Sequence, residues 1–258
     1  EMTTVESIDI VAASVDLLAS SHPFLPPYAL DTILDEYFME PYVFEGGQFQ
    51  ALKPMSGEAM LDFPEPVGKA AAFLTLHSEV ATLPLTYKDK GVKRVTYRLG
   101  LPAAFHERAK FLVELGFGGT DTVQVGNQAV HPRKMLAAMI NLHAIPTGVP
   151  DDCEVIRVEV AGSRSGKPTL IKLESVIMAH KRWQMSCGAV DTGVPPSVVA
   201  QMILGGKIAA RGVVAPEACV PPAELFAELA KRGSPMTRVV TETIAEAGQK
   251  QPTAAACC

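Results

Sequence analysis

Positive charge is in short supply along this chain of 258 residues, where 23 Lys and Arg are outnumbered by 28 Asp and Glu for a formal charge of −5. The densest basic stretch, 88–98, interleaves its charges with apolar residues. A nucleic-acid-binding face needs a basic stripe that displaces counterions from phosphates, so no nucleic-acid partner is expected. Long hydrophobic runs are also missing. None approaches the roughly 20 apolar residues that cross a bilayer, so no membrane partner is expected. The first residue is Glu1 and no basic-then-apolar leader follows it, which reads as a trimmed or excised domain. Cysteine is sparse and unpatterned: Cys153, Cys187, Cys219, Cys257 and Cys258 are odd in number and form no CxxC. Such a set reads as reduced thiols of a cytoplasmic protein. The histidines, His22, His77, His106, His131, His143 and His180, are scattered, with no i, i+4 pair to a second His or Cys. No metal site is expected.

Nucleotide-binding motifs are wanting as well. Gly116-Phe117-Gly118-Gly119 opens like a dinucleotide loop, but it follows a helical pattern rather than a strand, and Asp121 stands where the third Gly belongs. It reads as a helix-terminating loop. Residues 162–167 are one residue short of a phosphate loop, with Pro168 in place of the hydroxyl residue, and read as a hairpin tip. No residue is assigned to a cofactor.

What remains is an ordinary globular balance, 48% hydrophobic and 20% charged. Alternating or β-branched segments predict strands at 7–14, 59–63, 69–76 and 92–100 and hairpins over 41–52 and 154–178. Helical spacing predicts helices at 28–38, 102–115, 132–143, 195–204 and 221–231. Strands cluster in runs and do not alternate strictly with helices. This points to an α+β fold on one large mixed, mostly antiparallel sheet covered by helices. The composition from 248 to 258 predicts a flexible tail.

One polar cluster stands out. His77, Ser78, Glu79 and Thr82 end a predicted strand and lead to Pro84. An imidazole, a hydroxyl and a carboxylate there suit an amino-acid ligand. The same residues suit a helix start, the commoner role, with Ser78 or Thr82 capping and Glu79 balancing the dipole. Asp31, Asp35 and Glu36 read as a solvated helix face, or as partners for substrate amines. Lys88, Lys90, Lys93, Arg94 and Arg98 read as edge-strand charges that deter aggregation. Alternatively Arg94 and Arg98 clamp a carboxylate.

Three stretches together resemble the C-terminal part of saccharopine dehydrogenase-family proteins. They are 31–54 (DTILDEYFMEPYVFEGGQFQALKP), 63–84 from FPEP to HSEVATLP, and 192–217, with TGVPPS, AQMIL and GVVAPE. The similarity spans about 8–233. The resemblance implies a domain of the glyceraldehyde-3-phosphate-dehydrogenase C-terminal type, covering 1–247. In it, 6–190 forms the substrate part and 191–235 a helical segment that contacts a cofactor domain through the helix at Pro195-Pro196. It further implies an upstream Rossmann domain, absent here, a homodimer, and a small amino-acid or amino-dicarboxylate substrate of lysine-type metabolism. The complete enzyme would carry NAD(P), with none bound by this chain alone, and would transfer hydride at a C–N bond. His77 and Glu79 would be its catalytic acid and base, with Ser78, Thr82, Arg94 and Arg98 on the substrate. Alone, the chain is expected to be inert, since hydride transfer needs cofactor and substrate in register. A non-catalytic ligand-binding module and a pure dimerisation domain are the alternatives.

Overall fold

The computed structural model describes residues 2–18, 22–143 and 148–242; the tail expected from 248 lies outside them. At its centre is strand β1 (Thr4–Asp16), longer than its alternating stretch predicts. Strand β2 (Tyr42–Glu45) and β3 (Gln48–Ala51) form the hairpin expected around Gly46-Gly47, both at positive φ. A second hairpin joins β4 (Ala59–Asp62) to β5 (Lys69–Leu74), and β6 (Arg94–Gly100) follows. A short hairpin, β7 (Val123–Val125) and β8 (Gln128–Val130), stands apart from the main sheet. The long hairpin of β9 (Asp152–Arg164) and β10 (Lys167–Met178) turns at Ser165-Gly166, with φ of 51° and 77°. That is the paired left-handed geometry of a tight hairpin turn. Strand β11 (Met236–Glu242) completes the sheet.

The main sheet has nine strands in the order β11-β10-β9-β1-β6, with the outer edge of β6 shared. The start of β6 pairs with β2 (Glu45 opposite Arg94) and its end with β5 (Leu74 opposite Arg98). Only β1 and β6 run parallel among the described residues.

Alternation along these strands creates two unlike faces. On one, Ile8, Ile10 and Ala12 of β1 join Val95, Tyr97 and Leu99 of β6. Over them pack Ile33, Leu34 and Tyr37 of α1 (Leu30–Phe38), Val80 of α2 (Ser78–Thr86), and Phe105 and Ala109 of α3 (Ala103–Leu112). Leu136 and Ile140 of α4 (Pro132–Ile140) extend this core. Each such side chain contributes about 1.5–3 kcal/mol when removed from water. The other face buries a smaller group, Val11, Ala13, Ala72, Cys153 and Val155 under Phe63. Elsewhere it is polar, with Arg157 paired to Glu174 at 2.6 Å between side chains only 13% and 10% exposed.

Four elements differ from their sequence signals. Helix α5 (Cys187–Leu204) begins eight residues before Pro195, where the pattern predicts its start. Ser186 caps it, its Oγ accepting the Ala189 N–H at 3.2 Å. Pro195 and Pro196 sit inside the helix and withhold N–H groups from the carbonyls of Asp191 and Thr192, four residues earlier. Burial of Val190, Val194, Val198 and Met202, at strict i, i+4 spacing against Ile177, offsets that loss. Helix α2 is entered through His77 with no side-chain cap, so neither Ser78 nor Thr82 caps it. Hairpin β7–β8 and edge strand β11 carry no alternation strong enough to announce them; both are almost wholly exposed. The remaining helices, α6 (Pro216–Cys219) and α7 (Pro222–Ala230), start at prolines that suit a first turn.

Candidate functional site

The path from β5 into α2 places the predicted cluster. Leu74 pairs with Arg98, and the Thr75 N–H donates to the Tyr97 carbonyl at 3.3 Å. The chain then leaves the sheet, and two residues later the His77 imidazole lies flat on the Tyr97 ring. The centroids are 3.6 Å apart and the planes 2° from parallel. Glu79, in the first turn of α2, hydrogen-bonds Nδ1 of His77. Ser78 Oγ donates to the same carboxylate oxygen at 3.1 Å. Burial pushes the Glu79 carboxyl up, but the hydrogen bond and charge of His77 outweigh it and hold the group below its ordinary value. A carboxylate on one ring nitrogen fixes the tautomer and leaves Nε2 for a ligand. Thr82 lies one turn after Ser78 in α2, half-buried, and its hydroxyl makes no hydrogen bond among the described residues.

Arg94 and Arg98 are not brought to this site. They share a face of β6 with Thr96, opposite the face of Tyr97. Arg94 pairs with Asp9 at 3.0 Å and Glu45 at 3.4 Å. Arg98 donates to the Gly57 carbonyl at 3.2 Å and to Thr96 Oγ1 at 3.3 Å, and Thr96 in turn donates to Asp9 at 2.5 Å. Both guanidiniums are engaged by other groups of the chain on the far side of the sheet from Tyr97, so they do not stand beside His77 to clamp a carboxylate there. Asp31 and Asp35 face Arg133 of α4, at 3.8 and 2.8 Å.

Three further carboxyls, those of Glu36, Glu154 and Asp191, act on Tyr97 through their charge. Glu36, read from sequence as part of a solvated face, is half-buried and accepts a hydrogen bond from the Tyr28 hydroxyl. Burial raises its carboxyl above the ordinary range. Glu154 of β9, opposite Ser14 and Ile177, projects on the helix-covered face and shares a hydrogen bond with Asp191 of α5. Burial and then the Asp191 charge drive Glu154 well above the ordinary carboxyl value, and burial raises Asp191 as well. Tyr97 is itself raised by burial, then by the charges of Glu79, Glu154, Glu36 and Asp191. Tyr97, Glu154 and Asp191 were not legible as site residues. Each lies in an unremarkable strand or helix pattern, and the packing of α5 against β9 is what brings Glu154 and Asp191 together.

The arrangement can move a proton at His77 Nε2 and stabilise positive charge beside it. It offers no cradle for a dinucleotide. Gly116-Phe117-Gly118-Gly119 falls in the last turn after α3, with Gly116 at φ 107° and no strand leading in. Residues 162–167 are the β9–β10 tip. Neither glycine-rich loop therefore cradles a dinucleotide, and two clefts lie elsewhere. One is lined by Pro23, Phe24 and Phe111 and is apolar; the other lies between Asp31, His131 and Arg133.

Comparison with solved structures matches the chain to the apo form of saccharopine dehydrogenase (L-Glu forming) from Saccharomyces cerevisiae. The TM-score is 0.68 at 13% identity, over 92% of this chain and 67% of that one. At that identity the likeness speaks to the fold, an α+β domain with a large mostly antiparallel sheet. The family model described as the saccharopine dehydrogenase C-terminal domain matches residues 18–234, and on that match the chain belongs to the saccharopine dehydrogenase C-terminal domain family.

Proposed function

We propose that the chain is the substrate-binding and dimerisation domain of an NAD(P)-dependent oxidoreductase that acts on the C–N bond of an amino acid or amino-dicarboxylate. The observation that carries this reading is the His77–Glu79 pair held flat on Tyr97 at the edge of a buried sheet face. Family membership of residues 18–234 supports the reaction class. NAD(P) would supply the hydride chemistry, held by the Rossmann domain that the family resemblance implies.

Within this chain, His77 Nε2 takes a proton from the substrate amine or returns one, and Glu79 supports the imidazolium that forms. Stacking on Tyr97 fixes the ring plane, so the proton is exchanged at one defined point. Ser78 fixes the rotamer of Glu79, and Thr82, one turn on, contacts the substrate. The homodimer and the cytoplasmic setting rest on the family resemblance.

A thermal-shift titration with saccharopine, lysine, glutamate, NADH and NADPH tests the reading. A ligand at 100 times its Kd stabilises the folded chain by about 2.7 kcal/mol. An amino-acid ligand is expected to raise the midpoint and His77→Gln to reduce the shift, while the nucleotides give none. A shift with nucleotides alone would overturn it. A substrate shift that survives His77→Gln would move the site elsewhere and favour a binding module without this catalytic pair.

A further inference from the structure

Strand β11 closes one side of the main sheet, and its outer edge pairs with no other strand among the described residues. An open edge is a row of unmet N–H and C=O groups, which proteins blunt by shortness, a bulge, a proline or a covering element. The opposite side of the sheet is blunted by shortness, since β3 has only four residues. Strand β11 has seven residues, no proline, and an unbroken register with β10 from Met236 opposite Ser175 to Glu242 opposite Thr169. All but Met236 are exposed, Val239 by 53% and Val240 by 37%.

The charges of this strand are also poorly met. Arg238 makes no side-chain hydrogen bond or ion pair among the described residues, and Glu242 is approached only to 3.9 Å, by Arg164 and Lys167. Arg238 and Glu242 lie on the same face of β11, about 13 Å apart at about 3.3 Å per residue, too far to pair within one copy. A second copy brought up antiparallel by a two-fold axis sets residues at equal distances from its centre opposite one another. Centred on Arg238, the axis opposes like charges. Centred on Val239 or Thr241, it sets a charge against Val240. Centred on Val240, it sets Arg238 opposite Glu242 of the second copy twice over, with Val239 opposite Thr241 and Val240 opposite itself. Unlike charges directly across a strand pair stabilise it, and like charges destabilise it.

We propose that β11 is a dimer edge, at which two copies of the chain pair their β11 strands antiparallel about Val240 and join their sheets into one. The inference rests on the reading of the chain as a dimerisation domain and names the surface used. Opposed residues of an antiparallel pair share a face, so the helix-covered faces, each with its His77 cluster, lie on one side of the joined sheet. A seven-residue strand pair is a small interface, so the dimer dissociates in the micromolar range.

Sedimentation velocity of the 258-residue chain over a concentration series tests this, with Arg238→Glu and Glu242→Arg run singly and mixed. Each variant alone is expected to self-associate about tenfold more weakly or worse, since both of its symmetry-related pairs become like-charged. An equimolar mixture of the two is expected to restore the dimer, because a mixed pair again opposes unlike charges at both positions. Mixing would not mend misfolding, and circular dichroism confirms the fold of each variant. Val240→Cys, in a chain that also carries Cys257→Ser and Cys258→Ser, is expected to form an intermolecular disulfide on oxidation, and Val239→Cys is not. A dimer indifferent to both charge reversals, with no cross-link in Val240→Cys, overturns the β11 pairing and leaves the dimerisation reading standing. A chain monomeric at every concentration overturns both. Protection of the β11 amides from hydrogen exchange in that monomer would give the edge to another part of the same chain.

Discussion

Tyr97 and Arg98 are neighbours in the chain and occupy opposite sides of one sheet. The phenol lies under His77, and the guanidinium reaches to the Gly57 carbonyl and the Thr96 hydroxyl. The period-two alternation of a strand separates two groups that a linear reading joins into one ligand clamp.

In the complete enzyme, His77→Gln is therefore expected to lower kcat by about 10²–10⁴-fold, the range of a lost general acid–base group, with little change in thermal stability. Arg98→Gln is expected to leave KM unchanged and to lower the melting temperature instead. Steady-state kinetics and a melting curve on each variant separate the two roles; a raised KM in Arg98→Gln would return that residue to the site.

The Glu154–Asp191 pair makes a prediction about pH. A carboxyl whose folded-state pKa is raised above its unfolded value favours folding fully only below the unfolded value, here ordinarily 4.5. That contribution is lost as pH rises through the higher folded-state pKa. Glu154→Gln removes the penalty. It is expected to melt above the parent chain at neutral pH and to converge with it below about pH 4. Melting curves between pH 3.5 and 8 would show the two lines meeting; parallel lines would argue that Glu154 is unshifted.

Tyr37, on the inner face of α1, is fully buried, and its hydroxyl shares a hydrogen bond of 2.9 Å with His106 Nδ1. Tyr37→Phe keeps the ring against Phe73 and deletes that bond, at a cost of about 1 kcal/mol. Urea unfolding measures it, and an unchanged midpoint would mean that the imidazole finds water instead.

Gly162 faces the backbone of β1. A Cβ added there would stand 2.2 Å from the Thr4 carbonyl oxygen, where the β1–β9 register shifts between Val5 and Ser7. Gly162→Ala forces strand from strand and is expected to cost about 1–3 kcal/mol, whereas Gly166→Ala, at φ 77° with open space around it, pays for backbone strain alone. Denaturant midpoints of both variants rank the two effects.

Much of this fold could be read along the chain because local rules act locally. The Gly46-Gly47 hairpin, the β9–β10 tip and the alternation of β6 follow from turn chemistry and strand period alone. The start of α5 could not be placed at Pro195-Pro196 because the prolines mark a helix's first turn by propensity, whereas Ser186 and the Val190-Val194-Val198 stripe decide it by capping and packing. His77 and Glu79 were visible as adjacent chemistry. Glu154 and Asp191 were not, since their pairing depends on how α5 crosses β9, and no spacing within either element encodes that crossing.

The centre of the sheet closes over a long loop. Thr4 pairs with Ser163, so β1 finds its β9 neighbour only after some 160 residues of chain have been made. During synthesis on the ribosome, Ile8, Ile10 and Val11 wait with one edge unpaired while the intervening hairpins and helices form. Topologies dominated by such distant pairings fold slowly and leave sticky strands open. For this domain the period of greatest risk falls before β9 emerges, so truncations that end short of residue 152 are expected to aggregate even though they contain every residue of the His77 cluster.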